Sequence, residues 1–138
     1  MSNTALNTDV LQLNQDVVAL IHHAKHRAAT AINAELTLLY WHVGQRIRQD
    51  ILGNERADYG KQIIQGLSKV LTAQFGQGWG KTQLNYCVQF ANTFEDIQIV
   101  HALRGQLSWT HFKLLLHIND PIKREFYTTM TIQERWST

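Results

Sequence analysis

The sequence contains a single cysteine, Cys87, and a single proline, Pro121, in 138 residues. One cysteine cannot form an intrachain disulfide, and it excludes a zinc site built from several thiolates. No apolar run approaches the roughly 18 residues that a membrane span requires. The first 20 residues lack the basic start and apolar core of a signal peptide. These absences predict a cytoplasmic protein that has no membrane segment. No cofactor is expected.

Charge is also sparse, with 13 Lys and Arg residues against 11 Asp and Glu residues and a net charge of +2. Its distribution is uneven, because no acidic residue occurs between Asp58 and Glu95, whereas Lys61, Lys69 and Lys81 all lie there. Local positive potential of this kind suits a phosphate backbone. An ordinary solvated surface explains three lysines over this length equally well.

Sustained strand-like alternation is absent, and apolar residues recur at helical spacing from Leu13 to Ile51. With Asp9 as the N-cap, this pattern predicts a helix of about forty residues, with a possible break near Asn33 or Gly44. Residues 1–8 are expected to be disordered. A helix of this length needs a partner along its apolar face, so we expect a homodimer through the long N-terminal helix.

Further helices are predicted over Tyr59–Phe75 and from about Gly80 to Phe94, followed by a short helix or an irregular link. Ser108 is well placed to cap the next helix, and Asp120–Pro121 combines an N-cap with a favoured first helical residue.

The predicted fold class is therefore all-α, with a long N-terminal helix and a helical bundle in one domain over residues 9–138. Truncation of Leu71 to Ala is expected to cost about 2–5 kcal/mol if the side chain is buried. The predicted core comprises Trp41, Leu67, Leu71, Phe75, Leu84, Val88, Phe90 and Leu115.

One local pattern occurs three times: an apolar residue precedes a small capping residue at Trp79–Gly80, Leu107–Ser108 and Trp136–Ser137. The first two are followed by an apolar residue at the spacing of a hydrophobic staple around a helix start. No residues for a helix follow the third in this sequence, so we expect a fragment of a longer protein.

The stretch GQGWGKTQLNYCVQF, residues 76–90, places a glycine-rich turn between two predicted helices. A helix-turn-helix has this order, and its second helix reads DNA with residues near its N-terminus. Here those residues would be Lys81, Gln83, Asn85 and Gln89, which would face outward. The alternative interpretation is an ordinary corner between two core helices, with polar residues on its exposed side.

A second group of candidate DNA-binding residues, Trp109, His111 and Lys113, follows the Ser108 cap. An aromatic side chain at a helix start could stack on a sugar or a base. In the alternative interpretation Trp109 closes the core and His111 is a solvated surface residue.

No catalytic or metal-binding residues are predicted. His22 and His26 have a spacing that can chelate a metal ion on a helix, but no carboxylate shares their turn, so a solvated face is expected. Glu95 and Asp96 lack the paired-carboxylate arrangement and neighbouring lysine of a nuclease centre. The glycine-rich turn lacks the spacing of a phosphate-binding loop.

Three ordered stretches, Leu38–Ile47, Asp58–Phe90 and Leu107–Tyr127, resemble the N-terminal domain of YhcG-like bacterial proteins. The resemblance implies a helical, DNA-binding module that precedes a PDDEXK-type nuclease domain, whose metal-binding carboxylates have no counterpart in this sequence. Family members often have serine at the position of Gly80 and arginines along the following helix. Because arginines supply phosphate contacts and guanine readout, their absence predicts weak, largely non-specific DNA binding.

Two functions are therefore considered. The first is a non-catalytic DNA-binding and assembly module of a two-domain nuclease, with DNA, a second copy and the C-terminal nuclease domain as partners. The second is a protein-protein interaction or dimerisation domain that makes no DNA contact.

Overall fold

The computed structural model describes residues 3–52 and 58–134, and it describes side chains from Thr8 onward. Within these ranges the chain forms six helices and no strand, which confirms the all-α prediction. The helices are α1 (Asn3–Leu52), α2 (Tyr59–Phe75), α3 (Lys81–Thr93), α4 (Ile97–Leu103), α5 (Trp109–Leu116) and α6 (Pro121–Glu134). The predicted cap at Trp136–Ser137 lies outside the described residues.

The chain divides into two compact units, residues 1–32 and 33–138. The first unit consists of the N-terminal part of α1. Its described side chains are exposed apart from Thr30, which is half-buried. Eight large apolar side chains among the described residues of this unit are between 45% and 67% exposed: Val10, Leu11, Leu13, Val17, Val18, Leu20, Ile21 and Ile32.

The predicted start of the first helix is wrong. The helix begins at Asn3 instead of after an N-cap at Asp9, and residues 3–8, predicted to be disordered, have helical backbone. No glycine or proline occurs there to stop the helix from extending towards the N-terminus. The predicted break at Asn33 or Gly44 is also absent, because α1 runs as one helix of 50 residues to Leu52.

The second unit contains two groups of buried apolar side chains. The larger group surrounds Phe90 and Phe112, whose ring centroids are 4.8 Å apart. Trp41 of α1 enters this group and donates its indole N–H to the backbone oxygen of Phe94 at 2.7 Å. The smaller group joins α1, α2 and α3 through Ile47, Ile64 and Leu84. Packing of α1 and α2 against α3 therefore fixes the position of α3.

Side-chain caps begin three of the shorter helices. Asp96 accepts a hydrogen bond from the N–H of Gln98 and so starts α4. Of the two predicted alternatives, a short helix and an irregular link, the structure has the helix. Asp120 accepts from the N–H of Ile122 at 2.9 Å, which confirms the predicted start of α6. Ser108 starts α5 as predicted, through a capping box with His111.

The prediction that Phe75 belongs to the core is wrong, because its side chain is 66% exposed. The apolar periodicity of α2 continues to its last residue, but the residues of α2 that pack against the core end at Leu71. Trp41, Leu84, Phe90 and Leu115 are buried as predicted. The remaining three predicted core residues, Leu67, Leu71 and Val88, are half-buried.

Candidate nucleic-acid interface

Two glycines shape the turn between α2 and α3. Gly76 has φ of +83° and Gly78 has φ of +108°, values that side chains with a Cβ rarely adopt. The N–H of Gly76 donates to the oxygen of Thr72 at 3.0 Å and so closes the last turn of α2. Gly80 then precedes α3 with extended backbone and provides no side-chain cap. The N-cap residue of α3 therefore offers no side-chain acceptor to the backbone N–H groups of the first turn.

Lys81, Asn85 and Gln89 lie four residues apart, so they occupy one face of α3. All three are exposed. The Gln89 amide nitrogen donates to the backbone oxygen of Leu116 at 2.9 Å, which ties this side chain to the end of α5. Lys81 and Asn85 remain the two polar side chains of the row nearest the start of α3.

Gln83 does not belong to this outward row, contrary to the sequence-based prediction. It is half-buried, and its side-chain oxygen accepts a hydrogen bond from the indole N–H of Trp109 at 3.3 Å. Residues two apart on a helix point about 200° apart, so Gln83 faces α5 when Lys81 and Asn85 face outward. The polar residues in the first turns of α3 are therefore divided between two faces of the helix.

Trp109 and His111 have structural roles at the start of α5. The centroid of the Trp109 ring lies 4.7 Å from that of Tyr40 and 5.3 Å from that of Phe90. Trp109 therefore packs against the core, as the alternative interpretation required. The expectation that His111 is a solvated surface residue is wrong. Its Nδ1 accepts from the Ser108 N–H at 3.1 Å, and its Nε2 is buried and has no hydrogen-bond partner among the residues that the structure describes.

Lys113 is only partly available to a ligand. Its Nζ lies 5.6 Å from the centroid of the Tyr86 ring, an arrangement that allows a cation–π interaction. The Tyr86 hydroxyl is 3.3 Å from Nε2 of His117. The seven predicted residues are thus divided: Lys81, Asn85 and Gln89 share an exposed face, Lys113 lies over Tyr86, and Gln83, Trp109 and His111 bond or pack within the domain.

A cavity of about 530 Å³ adjoins the start of α3. Two lysines, Lys61 of α2 and Lys81 of α3, line it together with the amides of Gln65 and Asn85. Sequence reasoning did not include Lys61 and Gln65 in the site, although Lys61 lies in the acid-free window. We call this cavity the α2–α3 pocket; its lining residues are Ile51, Gly60, Lys61, Ile64, Gln65, Lys81, Asn85 and Val88.

A second cavity, of about 460 Å³, lies between α1 and α2 and is mainly apolar. An ion pair between Arg46 and Asp50, 3.3 Å apart, lies among its lining residues. The hydrogen bond from the Tyr59 hydroxyl, followed by the one from Arg46, lowers the pKa of Asp50. This carboxylate therefore stays ionised at neutral pH, which makes the second cavity a poorer place for a phosphate than the α2–α3 pocket.

The described part of the chain contains no group of three or more His, Cys, Asp and Glu residues that could hold a metal ion. His22 and His26 are both exposed in α1. None of the helices in the described ranges combines the length and apolar content needed to cross a bilayer.

Comparison with known proteins relates these features to a family. The family model of the DUF1016 N-terminal domain matches residues 16–138. A protein of Escherichia coli (strain K12) named "Putative nuclease YhcG" is 30% identical over 98 residues, which are 70% of this chain and 26% of that protein. The chain therefore matches about a quarter of its relative's length. No solved structure matches.

Proposed function

Because the chain belongs to the family of DUF1016 N-terminal domains, we propose that it is a non-catalytic DNA-contacting module of a nuclease-associated protein. Contact occurs through the exposed face of α3, and the N-terminal part of α1 holds two copies of the chain together. The relative in Escherichia coli carries the provisional name of a nuclease and extends well beyond the matched region. On this proposal, cleavage belongs to the longer protein and the module brings that protein to DNA.

The proposal rests on one observation, the group of phosphate-binding features around Lys81 at the start of α3. Lys81 is exposed, it is the first residue of the helix, and Gly80 before it provides no side-chain cap for the backbone N–H groups there. Lys61 lines the same cavity, and none of the cavity's described lining residues is acidic. A lysine, uncapped N–H groups and the positive end of a helix dipole all favour a phosphate.

Asn85 and Gln89 give this face a limited capacity to read bases. Amides can pair with adenine in the major groove, but the amide nitrogen of Gln89 already donates to Leu116. Few side chains therefore remain for specificity, and few positive charges are available for affinity. Binding is expected to be weak, dependent on salt and mostly independent of sequence.

Titration of duplex DNA against the isolated domain, repeated at several low salt concentrations, tests the proposal. Each phosphate contact adds about one unit to the slope of log K against log salt concentration, so Lys81→Ala should lower that slope by about one. Lys123→Ala removes an exposed lysine of α6 and is the matched control. Undetectable binding of the unmodified domain, or an equal loss in both variants, contradicts DNA contact at α3.

Dimerisation rests on a different observation, the seven exposed apolar side chains of residues 10–21. A helix in water is marginally stable without packing along an apolar face, and a second copy provides an identical face. Val17, Leu20 and Ala24 continue from Val10 and Leu13 at alternating spacings of three and four residues, which is typical of paired helices.

Light scattering at high micromolar concentration tests this part of the proposal. The unmodified chain should have the mass of a dimer, and the double variant Val17→Glu with Leu20→Glu should have the mass of a monomer. Gln15→Glu adds a charge at an exposed polar position of the same helix and should leave the dimer intact. A dimer that binds no DNA would support the alternative of a protein-protein interaction domain.

A further inference from the structure

We propose that the α2–α3 pocket binds an unpaired nucleotide of a DNA strand, with the phosphate held by Lys61 and Lys81 and the base placed on the apolar floor. This inference rests on the proposed DNA contact, and it names the kind of DNA that the site prefers. A duplex with a single-stranded end would then bind more tightly than a fully paired duplex.

The shape of the pocket suits a ligand of this size. Its volume of about 530 Å³ lies within the range of about 300–1,000 Å³ that is usual for small-molecule sites. The lining comes from three helices, with Ile51 near the end of α1, Ile64 in α2 and Val88 in α3. These three side chains supply an apolar surface, against which a base gains contact area that it lacks in water.

The charged groups of the pocket are at the beginnings of α2 and α3. Lys61 is in the first turn of α2 and Lys81 is the first residue of α3, so both ammonium groups lie where helix dipoles are positive. Gln65 and Asn85 follow each lysine by four residues and therefore lie on the same helix faces. The same pair of residue types, a lysine and an amide, thus lines the pocket from both helices.

The chemistry of the lining distinguishes a nucleotide from other ligands. Two lysines and no described acidic residue favour a phosphate, since the opposed charges attract one another. Amide side chains both donate and accept hydrogen bonds, as the edges of a base require. An apolar floor beside these groups fits the flat face of a base, whereas an inorganic anion would use the lysines alone.

The position of the pocket links it to a strand rather than to a free nucleotide. Lys81 and Asn85 belong both to the pocket and to the exposed face of α3 that is proposed to contact duplex DNA. A strand that contacts that face therefore passes beside the pocket, and a nucleotide of that strand can reach it where the strand is unpaired. Base pairs protect the apolar faces of bases within a duplex, so only an unpaired nucleotide can enter.

The test compares two DNA probes of identical duplex sequence, one with blunt ends and one with a short unpaired overhang. A base that covers the aliphatic floor removes apolar surface from water, so the overhang probe should bind more tightly, by about tenfold. The ratio of the two affinities is the readout, because it removes any effect of a variant on duplex binding itself.

Two variants with matched controls locate the effect. Asn85→Glu places a carboxylate beside the two lysines of the pocket and should bring the ratio close to one, whereas Asn92→Glu adds the same charge at an exposed position of α3 outside the pocket. Lys61→Ala should also lower the ratio, whereas Lys69→Ala on the same helix should not. If the circular dichroism spectrum shows that Asn85→Glu does not fold, Lys61→Ala still tests the pocket, because Lys61 is exposed.

The outcomes separate the pocket from the proposed function. Blunt duplex binding without a gain from the overhang overturns the pocket assignment and leaves DNA contact at α3 standing. Absence of binding to either probe overturns both. A gain that survives both pocket variants places the unpaired nucleotide elsewhere. Deoxyadenosine monophosphate serves as a third probe: if it shifts the NMR signals of the pocket while the overhang gives no gain, the ligand is a free nucleotide and the proposal fails.

Discussion

Gly44 of α1 lies directly against the backbone carbonyl of Cys87 in α3. A Cβ built on Gly44 would overlap the carbonyl oxygen of Cys87, so only glycine allows the two helices to approach this closely. The contact lies between the two buried groups, with Trp41 on one side and Ile47 on the other along α1. It therefore fixes the distance between α1 and α3, the helix that carries the proposed DNA-binding face.

Gly44→Ala should destabilise the second unit by about 1–3 kcal/mol, because the added methyl group forces the helices apart. This loss exceeds the gain of up to about 1 kcal/mol in helix propensity. Gly66→Ala in α2 is the matched control, since a Cβ there meets nothing within 4 Å. Urea unfolding followed by circular dichroism measures both. Equal stabilisation by the two variants would contradict the close contact.

Trp41→Phe should lower the free energy of unfolding by about 1–3 kcal/mol. The substitution removes the N–H that donates to Phe94 at 2.7 Å and leaves a buried carbonyl without that partner. Trp109→Phe removes a longer bond of 3.3 Å to a half-buried side chain and should cost less. Thermal unfolding of both variants checks whether Trp41→Phe is the more destabilising substitution. A larger loss of stability in Trp109→Phe would show that the Trp41 hydrogen bond is unimportant.

The degree of burial of side chains in α2 and α3 predicts how much stability each alanine variant loses. Leu84→Ala should cost about 2–5 kcal/mol, because its side chain is fully buried. Leu71→Ala should cost less, because Leu71 is half-buried. Phe75→Ala should change the stability by no more than about 0.5 kcal/mol, because the ring is mostly exposed. Denaturant unfolding provides the three values, and a large loss at Phe75 would show that its ring is covered in solution.

Burial raises the pKa of the Cys87 thiol to about 12. An unfolded thiol ionises at about pH 8.5, so its neutral form is favoured by folding. This contribution to stability is fully present below about pH 8.5 and is lost as pH rises towards 12. The difference in stability between the unmodified chain and Cys87→Ala should therefore shrink over that interval. A thiol reagent at pH 8 should react only as fast as the chain unfolds, and rapid reaction of the native protein would contradict its burial.

Helix positions were largely predictable because the responsible signals are local. Asp120 before Pro121 and Ser108 before Trp109 are caps that act within one helical turn, and both begin helices where expected. The helix over Tyr59–Phe75 likewise follows from its periodic apolar residues and Gly76. Phe75 shows the limit of this reasoning, because periodicity identifies a face of a helix but cannot show how far a neighbouring helix covers it.

The candidate site was less predictable because it depends on contacts between distant residues. Gln83 and Asn85 are two residues apart, and only the position of Trp109 shows that Gln83 faces inward. The α2–α3 pocket joins Lys61 to Lys81, which are separated by most of α2 and the turn. No local pattern could bring those residues together, although the acid-free window that contains both was visible in the sequence.

The most direct test of the central claim is a map of where DNA touches the protein. In an NMR titration of isotope-labelled protein with duplex DNA at low salt, backbone amide signals should shift most at residues 81–89 and at residues 61–65. The effects should diminish in Lys81→Ala and should weaken as salt increases. Shifts confined to other helices, or no shifts at DNA concentrations that saturate a weak non-specific site, would contradict DNA contact through α3.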